Sequence, residues 1–308
     1  MRSSCFPPVK CVAVIGFGLM GAQIAQVFSQ AEYSIKAFDV DSKQLHSGIE
    51  LIRTGKYGLE SLASKGKISH EEVEQVFSRI TITATIEEAS KDADLVLEAV
   101  IEDLGTKREI FEKAVKTSRQ ETILATNTST LSISRISEHF SPDVRARLVG
   151  MHFFNPPQLM KLVEIIRTKE TSDATISKLQ VVAQSLRKTP IVVFDFPGFV
   201  ANRIGISVFA EASLLLEKEV SSIRDIDLAM RLGYGHPMGP FELGDLVGLD
   251  SRLRNMQALY DETRDERFKP PKILELLVRE GYRGDPRVRK GSRGGYYEYF
   301  ALKRPSED

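Results

Sequence analysis

The sequence predicts an α/β fold in which a mainly parallel, doubly wound sheet is followed by a smaller all-helical domain. Three observations carry that prediction. As far as residue 194, short apolar runs alternate with amphipathic helical stretches, the pattern of strands joined by crossover helices. The run 12–15 leads directly into a Gly-x-Gly-x-x-Gly spacing at the head of a helix. Beyond Asp195-Phe196-Pro197-Gly198 the strand-like runs stop and only helical segments follow.

Taken in order, candidate strands occupy 12–15, 35–38, 94–100, 122–126, 148–154, 162–166 and 191–194. Between the second and third, a charged stretch at about 43–78 keeps helical spacing through Leu45, Ile49 and Ile52, then Val73, Val76 and Phe77. It reads as a helical excursion from the sheet rather than a plain crossover helix. The second domain is expected to hold helices at 199–217, 222–232, 241–260 and 273–279, punctuated by the glycines and prolines of 235–240 and by Pro270-Pro271. A tail rich in Gly and Arg, 281–299, closes on Tyr296, Tyr297 and Tyr299. The domains are therefore placed at 1–196 and 197–308, consistent with the usual domain size of roughly 100 to 200 residues.

Charge and composition exclude several function classes. The 42 Lys and Arg balance 42 Asp and Glu, so nothing points to a nucleic-acid or membrane-surface partner, and an anionic ligand must be met locally. No apolar run reaches the roughly 18 residues of a membrane helix, and the first ten residues lack a secretory signal. Cys5 and Cys11 lie too close together to staple two domains and fit a reducing compartment, so a cytoplasmic address is expected. The ending, residues 304–308, carries no peroxisomal tripeptide. No metal site is expected, because neither C-x-x-C nor H-E-x-x-H occurs.

Gly16-Phe17-Gly18-Leu19-Met20-Gly21 follows a strand and opens a helix, the context in which this spacing implies a Rossmann-type dinucleotide site. The first glycine permits the turn, the second lets a pyrophosphate approach the backbone, and the third allows helix and strand to pack closely. Asp39 ends the second strand 18 residues past the last glycine. A carboxylate there accepts hydrogen bonds from the adenosine ribose hydroxyls and repels a 2′-phosphate, favouring NAD over NADP. The plainer alternative makes Asp39 a solvated turn residue beside Asp41 and Ser42.

Further on stand Met151-His152-Phe153-Phe154-Asn155-Pro156-Pro157 and Lys161-Leu162-Val163-Glu164-Ile165-Ile166. With Leu97-Glu98-Ala99-Val100-Ile101-Glu102, Asn127-Thr128-Ser129, Pro197-Gly198-Phe199-Val200-Ala201-Asn202-Arg203 and the stretch Gly235 to Leu243, they resemble the L-3-hydroxyacyl-CoA dehydrogenase family, and its 3-hydroxybutyryl-CoA dehydrogenases in particular. The resemblance covers nearly the whole chain. Composition and spacing alone reach only a nucleotide-binding oxidoreductase.

The resemblance implies reversible, NAD-dependent oxidation of a short L-3-hydroxyacyl-CoA, in fatty-acid or other lipid metabolism, by a homodimer joined through its helical domain. His152 matches the catalytic base, and imidazole, with an ordinary pKa of about 6.5, suits the proton a secondary alcohol loses. Glu164 matches the carboxylate that orients it and stabilises the imidazolium. Ser129 and Asn202 match the polar pair that flanks the reacting oxygen; coming from both sides of the boundary, they imply a site between the domains. The plainer alternative makes either of these two residues a helix cap. Glu102, Lys107, Ser129 and Asn155 match residues lining the nicotinamide end of the cofactor, and Lys290 matches a tail lysine that also reaches it, in a segment one residue longer than usual. Lys107 equally fits a solvated helix face. The family's excursion meets coenzyme A, whose phosphates want cations. Lys56 is its candidate here, against ordinary surface charge.

Two other readings stand beside this one. A related sugar-acid dehydrogenase of the gulonate type typically lacks the paired phenylalanines, present here as Phe153 and Phe154. A crystallin-like NAD-binding protein without catalysis would not need His152, Glu164, Ser129 and Asn202 together.

Overall fold

A computed structural model describes residues 8–304; Cys5 and the last four residues lie outside that range. The chain divides into two compact units, one ending at Phe196 and the other beginning at Pro197. Among the described residues no helix is long and apolar enough to cross a membrane.

The first unit is built on one eight-stranded sheet: β1 (Cys11–Ile15), β2 (Ser34–Phe38), β3 (Ile80–Ile82), β4 (Leu95–Glu98), β5 (Ile123–Thr126), β6 (Leu148–Phe153), β7 (Leu162–Arg167) and β8 (Thr189–Phe194), in the order β3-β2-β1-β4-β5-β6-β7-β8. All neighbours are parallel except β6 and β7. Strands β4, β5 and β6 are buried along their whole length, which is why they read as continuous apolar runs: helices cover both faces of a parallel sheet. Crossing between them are α1 (Leu19–Gln30), α2 (Ser42–Thr54), α3 (Leu59–Ser64), α4 (His70–Ser78), α5 (Ile86–Ser90), α6 (Leu104–Thr117), α7 (Ile133–Ser137), α8 (Pro142–Arg145) and α9 (Asp173–Ser185). The excursion read at 43–78 is the three-helix group α2, α3 and α4.

Strand β3 departs from the sequence reading, which has no strand there. Only three residues long and largely exposed, it lacks the apolar length that marks a strand, and it exists because β2 offers a free edge. The strand order places a reversal of winding at β1 and β4, where ligands bind off the carboxyl ends of such sheets.

The second unit contains α10 (Ala201–Glu217), α11 (Ile223–Leu228) running into a π-helical turn (Ala229–Gly233), α12 (Pro240–Val247), α13 (Leu249–Thr263), α14 (Lys272–Arg279) and α15 (Tyr296–Tyr299). The single helix expected at 241–260 is broken. Gly248 takes φ +105°, and a Cβ there would lie 2.3 Å from the Arg289 guanidinium carbon, so the chain turns where Arg289 packs. The tail is likewise part of the core. Tyr296 and Tyr297 are fully buried, Tyr296 packs on Phe241 with ring centroids 4.7 Å apart, and the Tyr297 hydroxyl donates to Asp227 at 2.7 Å.

Candidate active site

The loop after β1 uses its three glycines differently. Gly16 takes φ +93°, and a Cβ there would stand 2.7 Å from the Ala99 carbonyl oxygen; one on Gly21 would meet the Gly16 oxygen at 1.8 Å. Both are demanded by the protein's own packing. Around Gly18 the nearest atom to a Cβ is Gln44 Oε1 at 3.9 Å, so that glycine keeps open space for something outside the chain. The helix behind it starts uncapped: Gly18 supplies no side-chain bond, whereas α2, α4, α5, α6, α7 and α9 are each capped by Asp, Ser or Thr. Free N–H groups facing open space fit the pyrophosphate of a dinucleotide.

Asp39 braces this loop, its Oδ2 accepting from the Phe17 N–H at 2.7 Å and its Oδ1 from the Asp41 N–H at 3.0 Å. The Phe17 ring is buried, pressed on α2 where a Cβ at Gly48 would come within 2.4 Å of it. Phe17 thus anchors the loop with its side chain, while Leu19 is exposed and Met20 half-buried.

The antiparallel register of β6 and β7 sets His152 opposite Glu164. His152 Nδ1 lies 2.8 Å from Glu164 Oε2, with His152 3 % exposed and Glu164 fully buried. A carboxylate only accepts, so Nδ1 carries the proton in the neutral ring and Nε2 keeps its lone pair. That nitrogen faces Ser129 Oγ at 3.2 Å. The end of β6 is held by Asn127, whose Oδ1 accepts from the Phe153 N–H at 2.9 Å, and the Phe154 ring lies 4.6 Å from the imidazole.

Lys107 is not on a solvated face. Its side chain is 1 % exposed and reaches between two carboxylates, 2.7 Å from Glu98 Oε1 and 3.2 Å from Glu102 Oε2. Glu98, fully buried at the end of β4, also accepts from the Val100 N–H at 2.7 Å and the Thr126 hydroxyl at 2.6 Å. Glu102 gathers the Thr128 hydroxyl and the Ser129 and Thr130 N–H groups. Burial opposes its ionisation, but Lys107 and these donors outweigh that and hold its carboxyl below the ordinary value.

His152, Glu164, Ser129, Glu102 and Lys107 therefore form one connected set. Asn155 is exposed just beyond β6, and Lys56 sits in the turn between α2 and α3, its ammonium 5.6 Å from the Tyr57 ring centroid. Asn202, in the first turn of α10, and the exposed Lys290 belong to the second unit. Glu98 and Asn127 have no role in the sequence reading, although a lone carboxylate inside an apolar strand signals a buried cation nearby. Val40 and Ile101, beside Asp39 and Glu102, are apolar residues left 92 % and 71 % exposed.

Two sequence profiles match the chain: residues 11–196 fit the NAD binding domain of 3-hydroxyacyl-CoA dehydrogenase and residues 198–299 fit the C-terminal domain of the same enzyme. The chain belongs to the 3-hydroxyacyl-CoA dehydrogenase family. It is 38 % identical over 291 residues to a probable 3-hydroxybutyryl-CoA dehydrogenase of Bacillus subtilis, covering 94 % of this chain and 98 % of that protein. Against the human mitochondrial hydroxyacyl-coenzyme A dehydrogenase the identity is 37 % over 296 residues, 94 % of this chain and 91 % of the other. The structure of (S)-3-hydroxybutyryl-CoA dehydrogenase from Ralstonia eutropha superposes with a TM-score of 0.84 at 32 % identity, covering 93 % of this chain and 99 % of that one. Like the family to which it belongs, this dehydrogenase uses NAD, in keeping with the open Gly18 and the uncapped α1.

Proposed function

We propose that this dehydrogenase oxidises the 3-hydroxyl of a short L-3-hydroxyacyl-CoA, of the 3-hydroxybutyryl size, and runs the reverse reduction. The observation that carries the reading is the buried His152–Glu164 pair with Ser129 on the far ring nitrogen. His152 Nε2 takes the hydroxyl proton in oxidation and returns it in reduction. Glu164 balances the charge the ring then carries, and the Ser129 hydroxyl steadies the reacting oxygen. Asn202 keeps the role the resemblance implies. Bound NAD supplies the hydride acceptor. The loop 16–21, Asp39, Glu102, Lys107, Asn155 and Lys290 hold it, with Lys107 acting from behind Glu102. Lys56 meets a phosphate of coenzyme A.

The short-chain preference is supported by the 3-hydroxybutyryl-CoA dehydrogenases among the relatives. A homodimer formed by the second unit is supported by the large apolar side chains it leaves exposed, Ile204, Val220, Leu232 and Tyr234, at 61, 63, 81 and 79 %, surface that a partner copy would bury. The cytoplasmic address rests on the cysteine usage and the bacterial relatives.

The test is NADH oxidation with acetoacetyl-CoA against free acetoacetate and against a long-chain 3-ketoacyl-CoA. The thioester of the short acid should be reduced with much the highest kcat/KM, because remote binding energy orients the reacting carbon. Equal kcat/KM for thioester and free acid would refute the reading.

A further inference from the structure

Gln26 is a fully buried amide on α1 that spends both ends of its side chain on other segments. Its Nε2 donates to the Tyr57 carbonyl at 2.9 Å, and its Oε1 accepts from Gln158 Nε2 at 2.9 Å. Tyr57 belongs to the turn 55–58, closed by the Gly58 N–H on the Gly55 oxygen at 2.7 Å. That turn joins α2 to α3 and carries Lys56. Gln158 belongs to the loop 155–161, which joins β6, bearing His152, to β7, bearing Glu164.

The loop is held by several hydrogen bonds of its own. The N–H groups of Leu159 and Met160 both reach the Pro156 oxygen, at 3.0 and 3.1 Å, and the Thr189 N–H holds the Lys161 oxygen at 2.7 Å. Beneath it lies the buried ammonium of Lys188, which donates to the Pro157 oxygen and, at 2.8 Å, to the Met160 oxygen. No carboxylate pairs with it among the described residues, and burial lowers its pKa. A cation spent on two carbonyls of one short loop makes those residues shift together.

We propose that Gln26 is a positioning residue tying the turn that bears Lys56 to the loop after His152, so that a coenzyme A group held at that turn sets the catalytic strand pair for turnover. An amide suits this link and few side chains replace it. A carboxylate lacks the donor that Tyr57 needs, and an apolar chain lacks both donor and acceptor. Remote parts of a substrate raise kcat only if their binding is communicated to the reacting centre, and Gln26 joins the Lys56 turn to the loop between the catalytic strands through two hydrogen bonds. The inference rests on the CoA-thioester reading above.

The experiment compares acetoacetyl-CoA with acetoacetyl-N-acetylcysteamine, which keeps the thioester and lacks the nucleotide, in wild type, Gln26→Met and Gln158→Met. Gln158 is half-buried in a loop, so its variant keeps the test open if Gln26→Met fails to fold. Each variant should lose about tenfold in kcat on the CoA thioester, the worth of the Gln26–Gln158 hydrogen bond that both remove. Turnover of the truncated thioester and NADH affinity should stay within about twofold of wild type. An equal loss on both thioesters, which is what structural damage gives, would overturn the proposal, and so would no loss on either. If wild type itself uses the two thioesters with equal kcat/KM, the CoA reading fails first and the proposal falls with it.

Discussion

Removing the Lys107 ammonium tests the buried charge network most severely. In Lys107→Met the fully buried Glu98 keeps only the neutral donors of Val100 and Thr126, and Glu102 loses its cation. Breaking a buried pair by deleting one partner costs about 3 to 5 kcal/mol, since the remaining charge stays desolvated. For a unit of this size each kcal/mol moves the melting midpoint by about 2 to 4 °C, so a fall of about 6 to 20 °C is expected in a calorimetric scan. The double variant Lys107→Met with Glu98→Gln removes both charges and leaves an amide that can accept from Val100, so it should regain most of the loss. A single variant within about 1 kcal/mol of wild type, or a double variant no more stable than the single, would show that Lys107 does not compensate the buried Glu98 charge.

Asp39→Ala removes the acceptor of the Phe17 N–H and the carboxylate proposed to meet the ribose hydroxyls; the wild-type preference for NADH over NADPH in kcat/KM should shrink by at least about tenfold, and wild-type preference for NADPH would contradict it. Glu102, held below its ordinary pKa in the folded protein, contributes stability that is present above the unfolded value of about 4.3 and lost as pH falls through the folded one. Glu102→Gln should therefore be less stable than wild type at pH 7 and converge with it as the pH drops below about 4; a gap independent of pH would rule this out. Light scattering at micromolar concentration should report twice the 34.4 kDa chain mass, and a stable monomer would remove the dimer.

Much of the fold was legible because burial on both faces leaves a visible mark. Residues 95–98 and 148–153 are apolar in every layer of the sheet except at Glu98 and His152. β3 was not legible, since a short exposed edge strand carries no such mark, and the break at Gly248 was hidden because its cause, Arg289, lies 41 residues away. In the site, each glycine of the 16–21 loop had a reason readable from spacing. The pairing of His152 with Glu164 came only from the family resemblance: cross-strand partners depend on the loop between them, and nothing local announces that register. Lys107 resisted for a similar reason. A lysine on a helix reads as solvated until the strand carboxylate facing it is known.

If His152 handles the proton of the reacting oxygen while the glycine loop holds NAD independently, the two functions come apart in a single variant. The direct measurement is kcat for acetoacetyl-CoA reduction in His152→Ala, with NADH affinity from fluorescence titration of the same sample. A loss of about 10² to 10⁴-fold in kcat is expected with NADH affinity unchanged, because Gly18, the uncapped α1 and Asp39 are untouched. Near-wild-type turnover in His152→Ala would contradict it.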